Sequence, residues 1–568
     1  MKKIFKSVIL FLVFVFCASG VGCGVQEIGE PINASKTQLY VATYEGGASG
    51  ESWLDGVASR FEEKYKDTCF EPGTDKKGVQ VHVASDKTLY HGSELLNNIG
   101  NMIYSVIFTE NLDYYAAVSS GLIAEISDTV NENLSEKFGE NTSIAEKMFD
   151  EELAFMNING KIYGVPHYLL FGGLIYDVDL FEDNNFYFNS AGTGFVRNKT
   201  EMRSAGPDGK PNTPDDGLPA TYDDFFLLCK KISDCGFSPM AWSGMYQAVQ
   251  TNYTLWSLFA DYEGKENFMP NFEFSGSVND VVDSISETNG KIGDINVSVR
   301  TENISPETGY HLTQQAGKYY ALKFFEKIVR NGYYDKTTKG TMVSHLGAQE
   351  NFIKGYFEDK PIAMLCDGSW WENEASGLNG AFETAEQEYG QAASKKNRRF
   401  AMMPLPKATR DKVGEPFTLG AWGQCYGVIN ATAVKNDKNL ENLSKLFLQF
   451  VSTKDEIERF TLQTGSPKSF KYDIDQARID SELTYYQKSV WDIFKNANVL
   501  MPYSSSSLLK NNKSTRGFGY DWFSTINKKS YGNPITAYID NASVTAEDYF
   551  FGLKTGQESW NNKYVRFF

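Results

Sequence analysis

The sequence predicts an α/β fold, and three observations lead there. Strand-like runs, polar loops and amphipathic helical stretches alternate along the first part of the chain, the pattern of a largely parallel sheet flanked by helices. The 568 residues are enough for two domains. Beyond the N-terminal segment no run of about 18 apolar residues occurs, so no membrane-spanning helix is expected.

The elements follow in order. Gln38–Tyr44 is a short strand, and the flexible loop 45–50 (Glu-Gly-Gly-Ala-Ser-Gly) comes after it. Trp53, Val57, Phe61 and Tyr65 recur every fourth residue and predict a helix, with Ser52 and Asp55 as a loose capping box. Val79–Val83 is a second strand and Tyr104–Phe108 a third. Ligands in such sheets sit beyond the carboxyl ends of the strands, which puts the loops 44–51 and 109–115 on the working edge. Residues 183–221 and 271–315 read as inserted loops with few periodic segments. A helix is expected over Lys318–Arg330, a strand over Lys360–Leu365, an extended run over Phe400–Pro406 and a helix carrying Leu443, Phe447 and Val451. The tail from about 470 is mixed, with helical patches.

The N-terminus sets the expected compartment. Lys2, Lys3 and Lys6 precede the apolar run Val8–Phe16, and small residues lead to Cys23, so residues 1–22 read as a secretory signal peptide. Val21-Gly22-Cys23 resembles the bacterial lipobox, although Gly20 stands where that pattern prefers an aliphatic residue. Cys23 would carry the lipid, with 23–35 as a tether to the membrane. Cleavage there leaves 52 basic against 72 acidic residues, a net charge of −20. Nucleic acid is therefore not an expected partner.

Motifs for catalysis are sparse. The five histidines show no paired metal spacing, and there is no nucleophile elbow and no phosphate loop with its lysine. No cofactor is expected. Asp208, Asn212, Asp215 and Asp216 in the acidic loop 206–217 could offer oxygens to calcium, with a solvated turn as the default reading. The five cysteines after Cys23 read as mostly buried and reduced, a Cys229–Cys235 disulfide being possible but not favoured.

The segment 364–374, Met-Leu-Cys-Asp-Gly-Ser-Trp-Trp-Glu-Asn-Glu, concentrates two tryptophans and three acids. Asp367, Glu372 and Glu374 suit either a hydrolase or a surface that accepts from sugar hydroxyls. If Trp370 and Trp371 continue an extended backbone, they point to opposite faces. One then packs inward, and the other presents an indole that can cover the apolar face of a sugar ring.

Several motifs in sequence resemble one family. They are Tyr44-Glu45-Gly46-Gly47, Phe108-Thr109-Glu110-Asn111, the stretch 160–166 (Gly-Lys-Ile-Tyr-Gly-Val-Pro) with Leu174-Ile175-Tyr176, Asp367-Gly368-Ser369-Trp370, and Met403-Pro404-Leu405-Pro406. The chain is similar to the bacterial extracellular solute-binding proteins of the carbohydrate type, the lipoprotein receptors of ABC importers, in plan like maltose-binding proteins. The resemblance implies a two-lobed periplasmic-binding-protein-like fold, each lobe a largely parallel sheet flanked by helices, with interlobe hinge strands. Lobe one would be 36–160 and 404–465, and lobe two 167–400 and 470–568. The crossings would lie near Gly164–Tyr168, Phe400–Pro406 and Ser466–Phe470. Carried over by position, Tyr44, Glu45, Glu110, Asn111 and Trp422 from lobe one, Tyr168 near the hinge, and Trp242, Asp367 and Trp370 from lobe two would bind the ligand. The implied function is a monomeric receptor that binds a sugar, closes by a hinge and passes it to permease subunits without breaking a bond. A receptor for a peptide or other polar solute, a secreted glycan-degrading enzyme and a surface adhesion module remain as alternatives.

Overall fold

The computed structural model describes residues 31–44, 53–287, 289–339, 342–377, 379–421, 425–501 and 522–565. Cys23, Glu45 and Trp422, with their expected roles, lie outside the described residues.

Two sheets organise the chain. Lobe one holds β1 (Thr37–Thr43), β2 (Val79–Ser85), β3 (Val106–Glu110), β4 (Gly164–Pro166) and β12 (Cys425–Ile429) in the order β2-β1-β3-β12-β4. Lobe two holds β5 (Gly172–Asp177), β6 (Ser238–Ala241), β9 (Ile362–Gly368) and β10 (Phe400–Met403) in the order β10-β5-β9-β6. In each sheet a single strand runs against the others. β12 pairs antiparallel with both β3 and β4, and β5 does the same with β10 and β9. Each of the two opposed strands follows a passage of the chain from the other lobe. The fold class read from the sequence therefore holds.

Strand β3 is buried along nearly its whole length, because helices cover both faces of the sheet. The expected helix forms over Trp53–Lys64 and buries Trp53, Val57 and Phe61 against that sheet. Phe61 meets Phe447 and Phe450 of the Lys438–Val451 helix, with ring centroids 5.0 and 5.3 Å apart. The predicted spacing of apolar residues thus builds one shared core. The start of the described chain is tied down as well: Gln80 donates to the Pro31 carbonyl and accepts from the Asn33 N–H.

Three sequence readings need correction. Within 271–315 there is a paired hairpin, β7 (Ser277–Ser286) with β8 (Asn296–Asn303), antiparallel with register shifts. Val278 and Val281 of β7 pack into one apolar cluster and Val282 into another, while β8 stays mostly exposed. Residues 404–420 belong to lobe two, not lobe one. Lys407 forms a buried ion pair with Asp261 at 2.7 Å, Thr221 bridges to Lys407, and β11 (Thr418–Gly420) pairs with β13 (Asn498–Leu500). The second passage between lobes accordingly falls between β11 and β12, not at 400–406. Residues 470–482 stay with lobe one, where Lys471 pairs with Asp150 and Arg478 with Glu458. The cysteine reading agrees with the structure: the five cysteines of the described residues are free, Cys229, Cys366 and Cys425 buried and Cys69 and Cys235 exposed.

The insertion 183–221 is anchored by aromatics. Phe186, Tyr187 and Phe188 are buried, and the Arg203 guanidinium sits 3.5 Å from the centre of the Tyr187 ring. Among the described residues no helix is long and apolar enough to cross a membrane.

Candidate functional site

The carboxyl ends of β3 and β9 bring residues of both lobes together. From lobe one come Tyr44, just past β1, and Glu110 at the end of β3. The Tyr168 hydroxyl, on the first passage between lobes, donates to Glu110 Oε2 at 2.8 Å. Asn111 adopts φ 58°, a left-handed conformation that asparagine tolerates, and its Nδ2 donates to Glu110 Oε1 at 3.2 Å. Nδ2 also lies 3.0 Å from His91 Nε2, and the His91 ring meets Tyr44 at 5.0 Å.

Lobe two supplies Asp367, Trp370 and Glu374. Asp367 ends β9, is 1% exposed, and accepts from the Gly368 N–H at 2.9 Å. Two amides also serve it: Gln250 Nε2 at 3.4 Å and Gln349 Nε2 at 3.3 Å. Gln349 Nε2 donates to Glu374 Oε2 at 2.8 Å as well, linking the two acids. His345 Nε2 is 3.6 Å from Glu374 Oε1.

The tryptophan pair divides its work, but not by strand alternation. β9 stops at Gly368, Trp370 turns into αR geometry, and Trp371 opens the short helix Trp371–Ala375. Trp371 is fully buried among Phe352, Phe382, Phe400 and Tyr486. Trp370 is half-buried, and its ring meets Tyr253 edge-on at 4.7 Å. Two glycines make room for this pair. A Cβ on Gly368 would stand 2.2 Å from the Trp370 ring, and one on Gly172 would stand 2.4 Å from Tyr253 Cβ.

The electrostatics tie the lobes together. Burial raises Glu110 to about 7; the Tyr168 hydrogen bond opposes this and the Glu374 charge adds to it. Burial, then the Glu374 charge, pushes Asp367 well above the ordinary carboxylate range. Burial also raises Tyr253, and the charges of Asp367, Glu374 and Glu110 add to it. A residue of lobe two thus feels acids from both sides of the cleft.

Two expected contributors lie elsewhere. Trp242 follows β6 directly and is 0% exposed, stacked on Tyr334 at 5.2 Å, so it belongs to the lobe-two core and offers no face to a ligand. Glu372 is also turned inward, held by the Thr484 hydroxyl at 2.8 Å, and burial raises it to about 7. In the acidic loop the side chains serve the backbone. Asp215 Oδ2 accepts from the Asp208 N–H, Asp216 Oδ2 from the Asn212 N–H, and Asp208 Oδ1 from the Lys210 N–H. Among the described residues no group of three or more His, Cys, Asp or Glu side chains is placed to hold a metal ion. The sequence reading missed His91, Gln250, Tyr253 and Gln349, which sit in ordinary helical or loop contexts and carry no motif.

Behind the cleft, the passages between lobes bury a lysine against a histidine, and burial, then the lysine charge, holds the histidine pKa well below its ordinary value. Lys468 Nζ lies 2.6 Å from His167 Nδ1, both inside a cage of Trp53, Phe108 and Phe460. Residues 168 and 468 bridge in antiparallel fashion here. Burial lowers Lys468 to about 7 from the ordinary 10.5. Between those two values the unfolded chain holds a proton that the folded chain has lost, so stability contributed by this group increases with pH across that window. In urea unfolding between pH 7 and 9, the wild-type protein should therefore gain about 1 kcal/mol per pH unit relative to Lys468→Met. Parallel pH profiles would show that Lys468 titrates normally.

Residues 104–458 match the family described as bacterial extracellular solute-binding protein. Proteins of curated function give no sequence match. Among solved structures, apo RafE from Streptococcus pneumoniae has a TM-score of 0.53 at 15% identity, covering 94% of this chain and 99% of its own. A chitin oligosaccharide binding protein has 0.51 at 14%, covering 93% and 100%. Maltose-bound T. maritima MalE3 has 0.51 at 13%, covering 92% and 99%. At these identities the structures speak for the fold. The family match spans well over half of the sequence, from before β3 to the helix Lys454–Thr464, and with it the chain belongs to the bacterial extracellular solute-binding proteins.

Proposed function

We propose that this protein is an extracytoplasmic carbohydrate receptor that binds an oligosaccharide between its lobes and delivers it to an ABC transporter permease. One observation carries the reading. Tyr44, Glu110 and Tyr168 meet Tyr253, Asp367, Trp370 and Glu374 across the cleft, joining aromatic faces to carboxyl and amide groups that suit a rim of hydroxyls. The neighbours support it by their ligands: RafE has been seen with raffinose, and MalE3 with maltose. No bond is broken in this scheme. The acids are fixed by phenol and amide donors, which suits holding a ligand.

A thermal-shift panel of mono- and oligosaccharides, peptides and other polar solutes tests the reading. A ligand that binds only the folded state raises the melting temperature, by about 2.7 kcal/mol of added stability at a hundredfold excess over Kd. Shifts with oligosaccharides alone support a sugar receptor. Shifts with peptides alone would move the function to the polar-solute alternative, and sugar release from a polysaccharide panel would move it to hydrolysis. Tethering through lipid on Cys23 is part of the proposal. Cys23→Ser should release the protein from the membrane fraction into the soluble one, and retention there would place the anchor elsewhere.

A further inference from the structure

We infer that the binding surface continues out of the cleft along lobe two, over an apolar lip that takes the outer units of an oligosaccharide longer than the cleft itself. The inference rests on the carbohydrate reading above and adds the length of the ligand. Among the described residues thirteen large apolar side chains stand exposed, and five of them gather in two short segments. Met245, Tyr246 and Val249 are 48%, 45% and 46% exposed, and Met342 and Leu346 are 86% and 44% exposed. The backbone joins the segments: the Met245 N–H donates to the Val343 carbonyl at 2.9 Å, and the Ser243 hydroxyl donates to the same oxygen at 2.8 Å. The Tyr246 ring also meets His345 at 5.4 Å.

The lip is continuous with the site. Tyr246 stands at the start of the helix Gln247–Phe268, and Val249, Gln250 and Tyr253 follow at intervals of three and four, so the four share one helix face. Gln250 on that face donates to Asp367, and Tyr253 meets Trp370. From the other segment, His345 reaches Glu374 and Gln349 links Glu374 to Asp367. Both segments therefore run from the cleft wall to the exposed apolar residues without a break. Seven residues separate Tyr253 from Tyr246, about 10 Å along a helix axis, the reach of roughly two sugar rings. A contiguous apolar patch of this kind rarely stays bare on a monomer unless something docks on it. A sugar chain leaving Trp370 presents alternating C–H faces, which is what Tyr246, Val249 and Leu346 can cover.

The test measures calorimetric affinities for malto-, xylo- and chito-oligosaccharide ladders, from monosaccharide to hexasaccharide. The full-length protein is compared with a variant carrying Tyr246→Ser, Val249→Ser and Leu346→Ser. For the ladder that binds, the wild-type protein should tighten by about tenfold as the chain outgrows the cleft (~1.4 kcal/mol). The variant should lose that gain while holding the shortest ligands as the wild type does. Affinity independent of length, or equal weakening at every length, overturns the inference. So does a fall of several degrees in the ligand-free melting temperature of the variant, which would mean that another part of the chain packs on the lip. If no ladder binds the wild-type protein, the carbohydrate reading fails and this inference with it.

Discussion

Trp370→Ala is expected to weaken ligand binding by about 30-fold or more, the cost of about 2 kcal/mol or more that a central aromatic anchor carries. Its ligand-free melting temperature should stay nearly unchanged. The geometry gives both halves of that expectation. Trp370 is half-buried just past the carboxyl end of β9, propped edge-on against Tyr253. Part of its surface stays exposed in the space beside Tyr253, which feels the charges of Asp367, Glu374 and Glu110. Removing it empties that space but leaves the lobe-two core intact. Titration calorimetry with the ligand found in the panel, paired with a thermal melt without it, checks both. A large drop in the ligand-free melting temperature would make Trp370 part of the core. Gly368→Ala is a companion test, since the added methyl collides with the Trp370 ring and must displace it.

Trp371→Ala should do the reverse, costing about 3–5 kcal/mol of folding stability. Trp371 is 0% exposed, with ring centroids 5.1 Å from both Phe400 and Tyr486 and 5.5 Å from Phe382. It joins β10, the helix Ala381–Tyr389 and the helix Tyr485–Asn496, so no single element can close the cavity that the substitution leaves. Denaturant unfolding reads the loss directly. At low temperature, where the variant is folded, its ligand affinity should be near that of the wild type. Two adjacent tryptophans would then separate binding from stability.

How far the sequence reveals this arrangement varies with the kind of information. Strands β1, β2 and β3 are legible because each is a short strand-like run bounded by polar loops, and the Trp53–Lys64 helix because its apolar residues repeat every four; β12 is not among the strands read from the sequence. The different fates of Trp370 and Trp371 are foreseeable, although the reason is a turn into a helix and not the alternation of a strand. Trp242 misleads because its polar, glycine-containing context looks like a loop; only tertiary packing shows that Tyr334 covers it. The hairpin β7–β8 hides because its strands are half polar, with β8 mostly exposed and β7 interrupted by register shifts. His91, Gln250, Tyr253 and Gln349 reach the site from helices and loops distant in sequence, and no local pattern marks them. The boundary at 404–420 fails for a similar reason: the ion pair of Lys407 with Asp261 joins residues whose partnership no local motif announces.

The single opposed strand in each sheet also shapes how the chain can acquire its structure. β3 ends at Glu110, yet its neighbour β12 begins only at Cys425, and the whole sheet of lobe two lies between them in the chain. Until β12 arrives, β3 and β4 have no pairing between them, and the loop that must close is long. High contact order of this sort slows folding and prolongs the exposure of apolar edges. Lobe one cannot complete its sheet before most of the chain has been made, so the facing edges of β3 and β4 wait unpaired through most of synthesis.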